Sequence, residues 1–149
     1  MVEFALVLPL FLIVMFIIAD FGVGFSRWLV ITNSTREGAR YGVAGAPASA
    51  ECGQATVDGR VECRTIKTAN GLLDSTNVSV NFQDFGGDVY PADAGDAVVV
   101  NAEYDYGLIT PLGQFLSLAF GSITLSSCSD MRLELAVEDA GGLGGSGCY

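Results

Sequence analysis

The sequence predicts an α+β fold: a long N-terminal hydrophobic α-helix followed by a small head built on an antiparallel β-sheet. Three observations predict it. Residues Phe4 to Ala19 (FALVLPLFLIVMFIIA) carry no charge and lie between Glu3 and Asp20. Three later segments alternate apolar and polar residues with a period of two, the pattern of half-buried strands. The remainder is rich in Gly and acidic residues, as in a loop-rich, wetted head. A chain of 149 residues suffices for one modest globular part beside such a helix. The expected division is residues 1–44 for the helix and 45–149 for the head.

The helix is expected from residue 4 to about residue 44, a rise of roughly 60 Å, twice the hydrocarbon core of a bilayer. Its first half is long and apolar enough for a membrane. Its second half, Ser26 to Tyr41, mixes polar and apolar residues and stands clear of lipid. An acidic flank argues against a signal peptide or an ordinary anchor, which carry positive charge at the corresponding end. Pro9 removes one helical hydrogen bond and favours a kink or local unwinding. Gly22 and Gly24 allow a close approach of another helix. Gly42, Gly45 and Pro47 end the helix. Phe4, Phe11, Phe21, Phe25 and Trp28 fall loosely on one side, as packing in a helical core requires.

Residues 45–65 read as irregular, because Gly53 and Gly59 interrupt a long helix, and a short helix follows over Val61 to Leu73. The first strand alternates Val78, Val80 and Phe82 with Asn77, Ser79 and Asn81. The second alternates Val98, Val100, Ala102, Tyr104 and Tyr106 with Val99, Asn101, Glu103 and Asp105. The third alternates Met131, Leu133, Leu135 and Val137 with Arg132, Glu134, Ala136 and Glu138. One face of the sheet packs on the second half of the long helix. The segment GLITPLGQFLSLAFGS, between the second and third strands, is apolar and irregular with room for one helical turn. Either the head itself or a neighbouring subunit covers it.

The net charge of −10, from seven basic and seventeen acidic residues, argues against nucleic acid and anionic lipid as partners, which select basic surfaces. It suits a soluble surface outside the cell. The chain has no His, so histidine-dependent catalysis and histidine-ligated metal sites are excluded. Its Ser and Cys residues therefore lack a His base, and no carboxylate pair suggests acid–base catalysis. The chain reads as a non-enzyme without a cofactor.

The even set of four cysteines in an exported head favours two disulfides. Of the three connectivities, Cys52–Cys63 and Cys128–Cys148 each close a local loop. The first pair requires a loop, since eleven residues along one straight helix exceed disulfide reach. Cys128 is expected on the outer sheet face, with the AGGLGGSGCY tail strapped over it. Asp84, Asp88, Asp93 and Asp96 lie in and around a Gly-rich segment. They are weak calcium candidates, their order does not match an EF-hand, and a solvated loop accounts for them equally. Two N-x-S/T matches, at Asn33 and Asn77, fall on the helix and the first strand and are short enough to arise by chance.

The stretch Val2-Glu3-Phe4-Ala5-Leu6-Val7-Leu8-Pro9 resembles the N-terminus of TadE-like pilins of the tight-adherence (Tad/Flp) branch of type IV pili. Asp20-Phe21-Gly22 fits the segment that closes their hydrophobic run. Thr35-Arg36-Glu37-Gly38-Ala39-Arg40-Tyr41 is similar to the family's A-R-E-G-A-R stretch. Near the C-terminus, Thr110-Pro111-Leu112, then Ile123-Thr124-Leu125-Ser126-Ser127 and Met131-Arg132-Leu133-Glu134, look like its closing strands. The middle of the chain carries no such motif.

The resemblance implies a pilin held in the inner membrane, cut by a prepilin peptidase and assembled by an ATPase-driven machine into an extracellular filament. Partners are then copies of the same chain or other pilins. Glu3 occupies the position of the family's acid, which neutralises the N-terminal amine of an adjacent subunit. A carboxylate in an apolar bundle is costly unless paired. Two residues precede Glu3 where many relatives have about four, and the chain reads as a processed form. Arg27, Arg36, Glu37 and Arg40 are expected to set inter-subunit contacts, with Phe4–Ile31 forming the filament core.

Overall fold

A computed structural model describes residues 2–49, 51–85, 92–111, 113–114, 118, 121–137 and 147–148. It contains a long helix α1 (Val2–Val43), a second helix α2 (Val57–Thr68), and strands β1 (Val78–Gln83), β2 (Ala97–Tyr106) and β3 (Ile123–Arg132). The strands form one antiparallel sheet in the order β1-β2-β3. The architecture is α+β, with a long apolar N-terminal helix and a small three-stranded sheet. The chain divides into two compact units, Met1–Leu29 with Asp105–Leu125, and Val30–Tyr104 with Ser126–Tyr149.

Helix α1 runs through Pro9 without interruption. Its C-terminus is a Schellman motif: the N–H of Ala46 donates to the carbonyl of Tyr41, and that of Gly45 to the carbonyl of Gly42, both at 2.9 Å. Gly45 sits at φ +79°, the left-handed conformation that this ending needs and that Gly adopts without a Cβ clash.

In the second unit the core is built from Ile31 and Ala39 of α1, Val61 of α2, Phe82 of β1 and Val98 to Val100 of β2, all fully buried. Gly38 and Gly42 lie one turn apart on one face of α1. A Cβ on Gly38 would stand 2.0 Å from Thr65 Oγ1, and one on Gly42 would stand 3.1–3.2 Å from Val98 and Val61. These two glycines let α2 and β2 approach the helix backbone. Thr35 Oγ1 and Ser127 Oγ share a hydrogen bond of 3.1 Å. The sheet thus packs on the second half of α1, as its alternation implies.

The register of β1 and β2 sets Val78 opposite Ala102, Val80 opposite Val100 and Phe82 opposite Val98. The apolar positions of both strands therefore share a face.

Two expectations are corrected. Helix α2 begins at Val57, four residues before the expected start, and includes Gly59. Val57, Val61 and Thr65 recur every four residues and are buried, and that stripe outweighs the cost of about 1 kcal/mol for a helical Gly. The third strand spans Ile123–Arg132, so Met131 and Arg132 of the expected alternating run lie in it, residues 133–137 do not, and Glu138 lies outside the described residues. Leu133 and Val137 are buried, but Leu135 is 67% exposed. The backbone beyond β3 bonds to a turn instead of a strand: Leu133 exchanges hydrogen bonds with Gly95 and Asp96, and Val137 bridges Ala92.

The second unit holds both disulfides. Cys52–Cys63 joins the loop after α1 to α2, with Cα atoms 5.7 Å apart. Cys128–Cys148, with Cα atoms 5.6 Å apart, ties the tail to β3. Cys128 lies on the exposed side of that strand with Ser126 and Asp130, opposite Ser127.

Candidate assembly surface

The apolar segment of α1 presents large side chains to the outside all round its axis. Phe4, Leu6, Leu10, Phe11 and Ile18 are each at least 63% exposed. Within the span Leu6–Val43 an 18-residue stretch has a mean hydropathy of 2.7, and the helix is long and apolar enough to cross a membrane. A helix with no polar stripe has no preferred core side in water; it needs lipid or other apolar helices around it.

Glu3 lies on the exposed first turn. Phe4 and Phe11 project outward, and Phe21, Phe25 and Trp28 form a contiguous ring ladder. Phe21 stacks on Phe25 with centroids 6.2 Å apart, and Phe25 lies 5.8 Å from Trp28. These rings follow i, i+4 and i+7 positions on one helix face. All three remain partly open.

The charged cluster of α1 behaves differently. Glu37 pairs with Arg40 at 3.4 Å and with Arg64 of α2 at 3.0 Å. The Arg64 guanidinium also stands 5.8 Å from the centroid of the Tyr41 ring. Glu37 therefore ties α1 to α2 inside the second unit, while the Arg36 and Arg40 side chains lie on the exposed surface. Exposed ion pairs of this kind contribute little to stability.

The acidic loop holds its own backbone. Asp96 is buried, and its carboxylate accepts from the N–H of Phe85 and of Asp93 at 3.0 and 2.9 Å. Asp88 lies outside the described residues. No group of three acidic or sulfur ligands suited to a metal occurs among the described residues.

One residue not foreseen as a site organises the first unit. Asp20 is 6% exposed, although it sits in an apolar helix. Its Oδ1 accepts from the backbone N–H groups of Ile109 and Thr110 at 3.0 and 3.1 Å, and its Oδ2 accepts from the Thr110 hydroxyl. The Tyr106 hydroxyl donates to the Asp20 carbonyl at 3.1 Å. Thr110 in turn accepts from the N–H of Gly113 at 3.1 Å, the bond of an N-cap residue, and Pro111 follows where a first helical turn tolerates it. A Cβ on Gly113 would stand 2.6 Å from the Asp20 carboxylate. The signal in the sequence is a carboxylate closing an apolar run, together with a distant Ile-Thr-Pro segment whose two backbone N–H groups precede the proline and whose Thr carries a hydroxyl.

This anchoring leaves an apolar groove of about 440 Å³ on the first unit. Ile17, Gly24 and Trp28 of α1 line one side, and Leu108, Ile123 and Leu125 the other. Gly24 faces the Tyr106 ring, with 3.3 Å between a Cβ placed there and the ring edge, whereas Gly22 meets nothing.

Residues 1–40 match the family model described as TadE-like protein. Comparison with curated proteins gave no match, and neither did comparison with solved structures.

Proposed function

We propose that this chain is a structural subunit of a Tad-type pilus, held in a membrane by α1 and polymerised through it. The observation that carries this reading is the coincidence of the TadE-like match over residues 1–40 with a helix whose apolar side chains are exposed on every side. Such a segment is stable in hydrocarbon or in a bundle of like helices. Residues 1–44 act as the membrane and filament-core helix and residues 45–149 as the exposed head, and the chain's net charge of −10 disfavours nucleic acid as a partner. The role is structural, without catalysis.

In the filament, Phe4, Phe11, Phe21, Phe25 and Trp28 pack against neighbouring helices. Glu3 pairs with the N-terminal amine of an adjacent copy, because an ammonium is the cation that an apolar bundle brings nearest. Arg27, Arg36 and Arg40 supply contacts farther along, with Glu37 fixing the local geometry. Prepilin peptidase and an inner-membrane assembly machine deliver the subunit to the cell surface, where the filament serves adhesion.

Electron microscopy of sheared surface filaments, joined to mass spectrometry of the subunit N-terminus, tests the reading. Filaments built from this chain, with a processed N-terminus close to Glu3, support it. A chain found only as an uncleaved, detergent-dispersed monomer would instead make it a single-pass membrane protein with an extracytoplasmic binding head. A Glu3→Ala chain that assembles at the normal level would overturn the ammonium pairing alone.

A further inference from the structure

Helix α2 ends at Thr68, and the chain turns back toward β1 within a few residues. Ala69 keeps helical angles, but Asn70 stands at φ +53° and Gly71 at φ +83°. The N–H of Leu72 donates to the carbonyl of Ala69 at 3.2 Å. Two successive left-handed residues closed by such a bond make a type I′ turn, the turn that selects Asn-Gly. Asn70 and Gly71 are both exposed. A Cβ on Gly71 would meet nothing within 4 Å. Among the described residues, neither the Asn70 side-chain amide nor the Gly71 N–H makes a hydrogen bond.

We propose that Asn70 is a site of spontaneous covalent modification, in which its side chain closes on the backbone of Gly71 and loses its amide nitrogen. The Gly71 nitrogen attacks Cγ of Asn70. A C–N bond forms, the bond from Cγ to the side-chain nitrogen breaks, and ammonia leaves with the proton of the Gly71 amide. The product is a five-membered cyclic imide. Water then opens either carbonyl of the imide. One route leaves aspartate in a normal backbone, and the other leaves isoaspartate, whose backbone runs through the side-chain carbon. Water is the only co-reactant.

The turn favours this reaction in three ways. Gly71 has no Cβ to shield the attacking nitrogen. Attack requires rotation about ψ of Asn70, which breaks only the single bond between Leu72 and Ala69. Both residues are open to the water that completes the reaction. The other asparagines lack these features. Asn33 lies inside α1 and precedes Ser34. Asn81 and Asn101 lie in the paired strands β1 and β2, so rotation there breaks the ladder. Asn77 precedes the β-branched Val78, and its carbonyl accepts from the N–H of Glu103 at 2.9 Å. The consequence falls on α2. Either product places a new carboxylate just past the negative end of that helix dipole. Isoaspartate also lengthens a turn that leads directly to the buried Leu73.

The test is peptide mapping of the full chain, incubated in detergent at 37 °C and mildly alkaline pH. The peptide that carries Asn70 should gain about 1 Da, the exchange of an amide for an acid. It should do so ahead of the peptides carrying Asn33, Asn77, Asn81 and Asn101. Fragmentation should resolve the product into aspartate and isoaspartate. The folded chain should react within about tenfold of the rate in denaturant, as a turn that opens at little cost allows. Asn70→Gln, which would need a six-membered ring, should leave the mass of that peptide unchanged over the same time. Conversion of Asn70 no faster than that of Asn101 overturns the proposal. So does a folded chain that reacts far more slowly than the denatured one, because the turn then protects the site. Aspartate without isoaspartate would mean direct hydrolysis without the imide and overturns it as well. The same mass gain in the Asn70→Gln chain would place the change at another residue.

Discussion

The carboxylate of Asp20 accepts from both the backbone N–H and the side-chain hydroxyl of Thr110, ninety residues away in the chain. This relationship closes the first unit. It satisfies a charge inside an apolar helix and at the same time fixes the start of the turn that follows β2. Asp20→Ala is expected to remove about 3 kcal/mol from the stability of this unit, since hydrogen bonds to a charged group contribute ~1.5–3 kcal/mol each and are not additive. Hydrogen exchange of the Ile109 and Thr110 amides should accelerate sharply, with the amides of α2 unchanged. Unaltered exchange at both amides would show that Asp20 does not hold the turn.

Gly38 is expected to tolerate no side chain. A Cβ there would stand 2.0 Å from Thr65 Oγ1 and 3.3 Å from Thr65 Cβ. Gly38→Ala should destabilise the second unit by about 1–3 kcal/mol, the usual range for overpacking. Thr65→Ala removes the obstructing hydroxyl and its buried bond to the Val61 carbonyl. The double variant should be more stable than the sum of the two single effects predicts, by about 1 kcal/mol. Denaturant unfolding of the four chains in detergent measures the coupling, and strict additivity would refute the clash.

Glu62 gives a pH dependence. Burial pushes its carboxyl above the usual range, and the Asp58 carboxylate one turn earlier adds to the shift. Because the folded-state pKa is raised, the ionised form costs the folded state. That cost is present above the folded pKa and absent below the unfolded one. Glu62→Gln is therefore expected to raise the melting temperature near pH 7 and to have no effect at a pH below the ordinary Glu value. A like-charge pair at this spacing contributes about 0.2–0.5 kcal/mol, so the gain is small. An equal gain at both pH values would mean that it does not arise from charge.

Removing the Cys52–Cys63 bond by a double Cys→Ala exchange should cost about 3 kcal/mol, by the loop-entropy relation for a loop of this size. The bond joins the segment after α1 to α2, so proteolysis between residues 45 and 57 should speed up first. The Cys128–Cys148 bond encloses a longer loop, and its removal should free the tail with little change at α2.

The sequence alone determined the extent of α1, its stop near Gly45, the pairing faces of β1 and β2 and the apolar character of the N-terminal segment. Each depends on local residue type or on a short period, such as sixteen uncharged residues in a row or a glycine just past a helix end. Where a local pattern had two structural meanings, the tertiary structure decided. Alternation from Met131 to Val137 suits a strand, yet that backbone bonds to a turn around Gly95 and Asp96. Gly59 interrupts a helix by propensity, yet the buried stripe of Val57, Val61 and Thr65 keeps it helical. Glu37 and Arg40 stand close in sequence, but the partnership with Arg64 appears only after α2 has folded. Asp20 is the clearest case. The sequence shows a carboxylate at the end of an apolar run, and its hydrogen-bond donors lie ninety residues farther along. No local period encodes such a distance, because a buried charge is satisfied by whatever donors the fold brings to it.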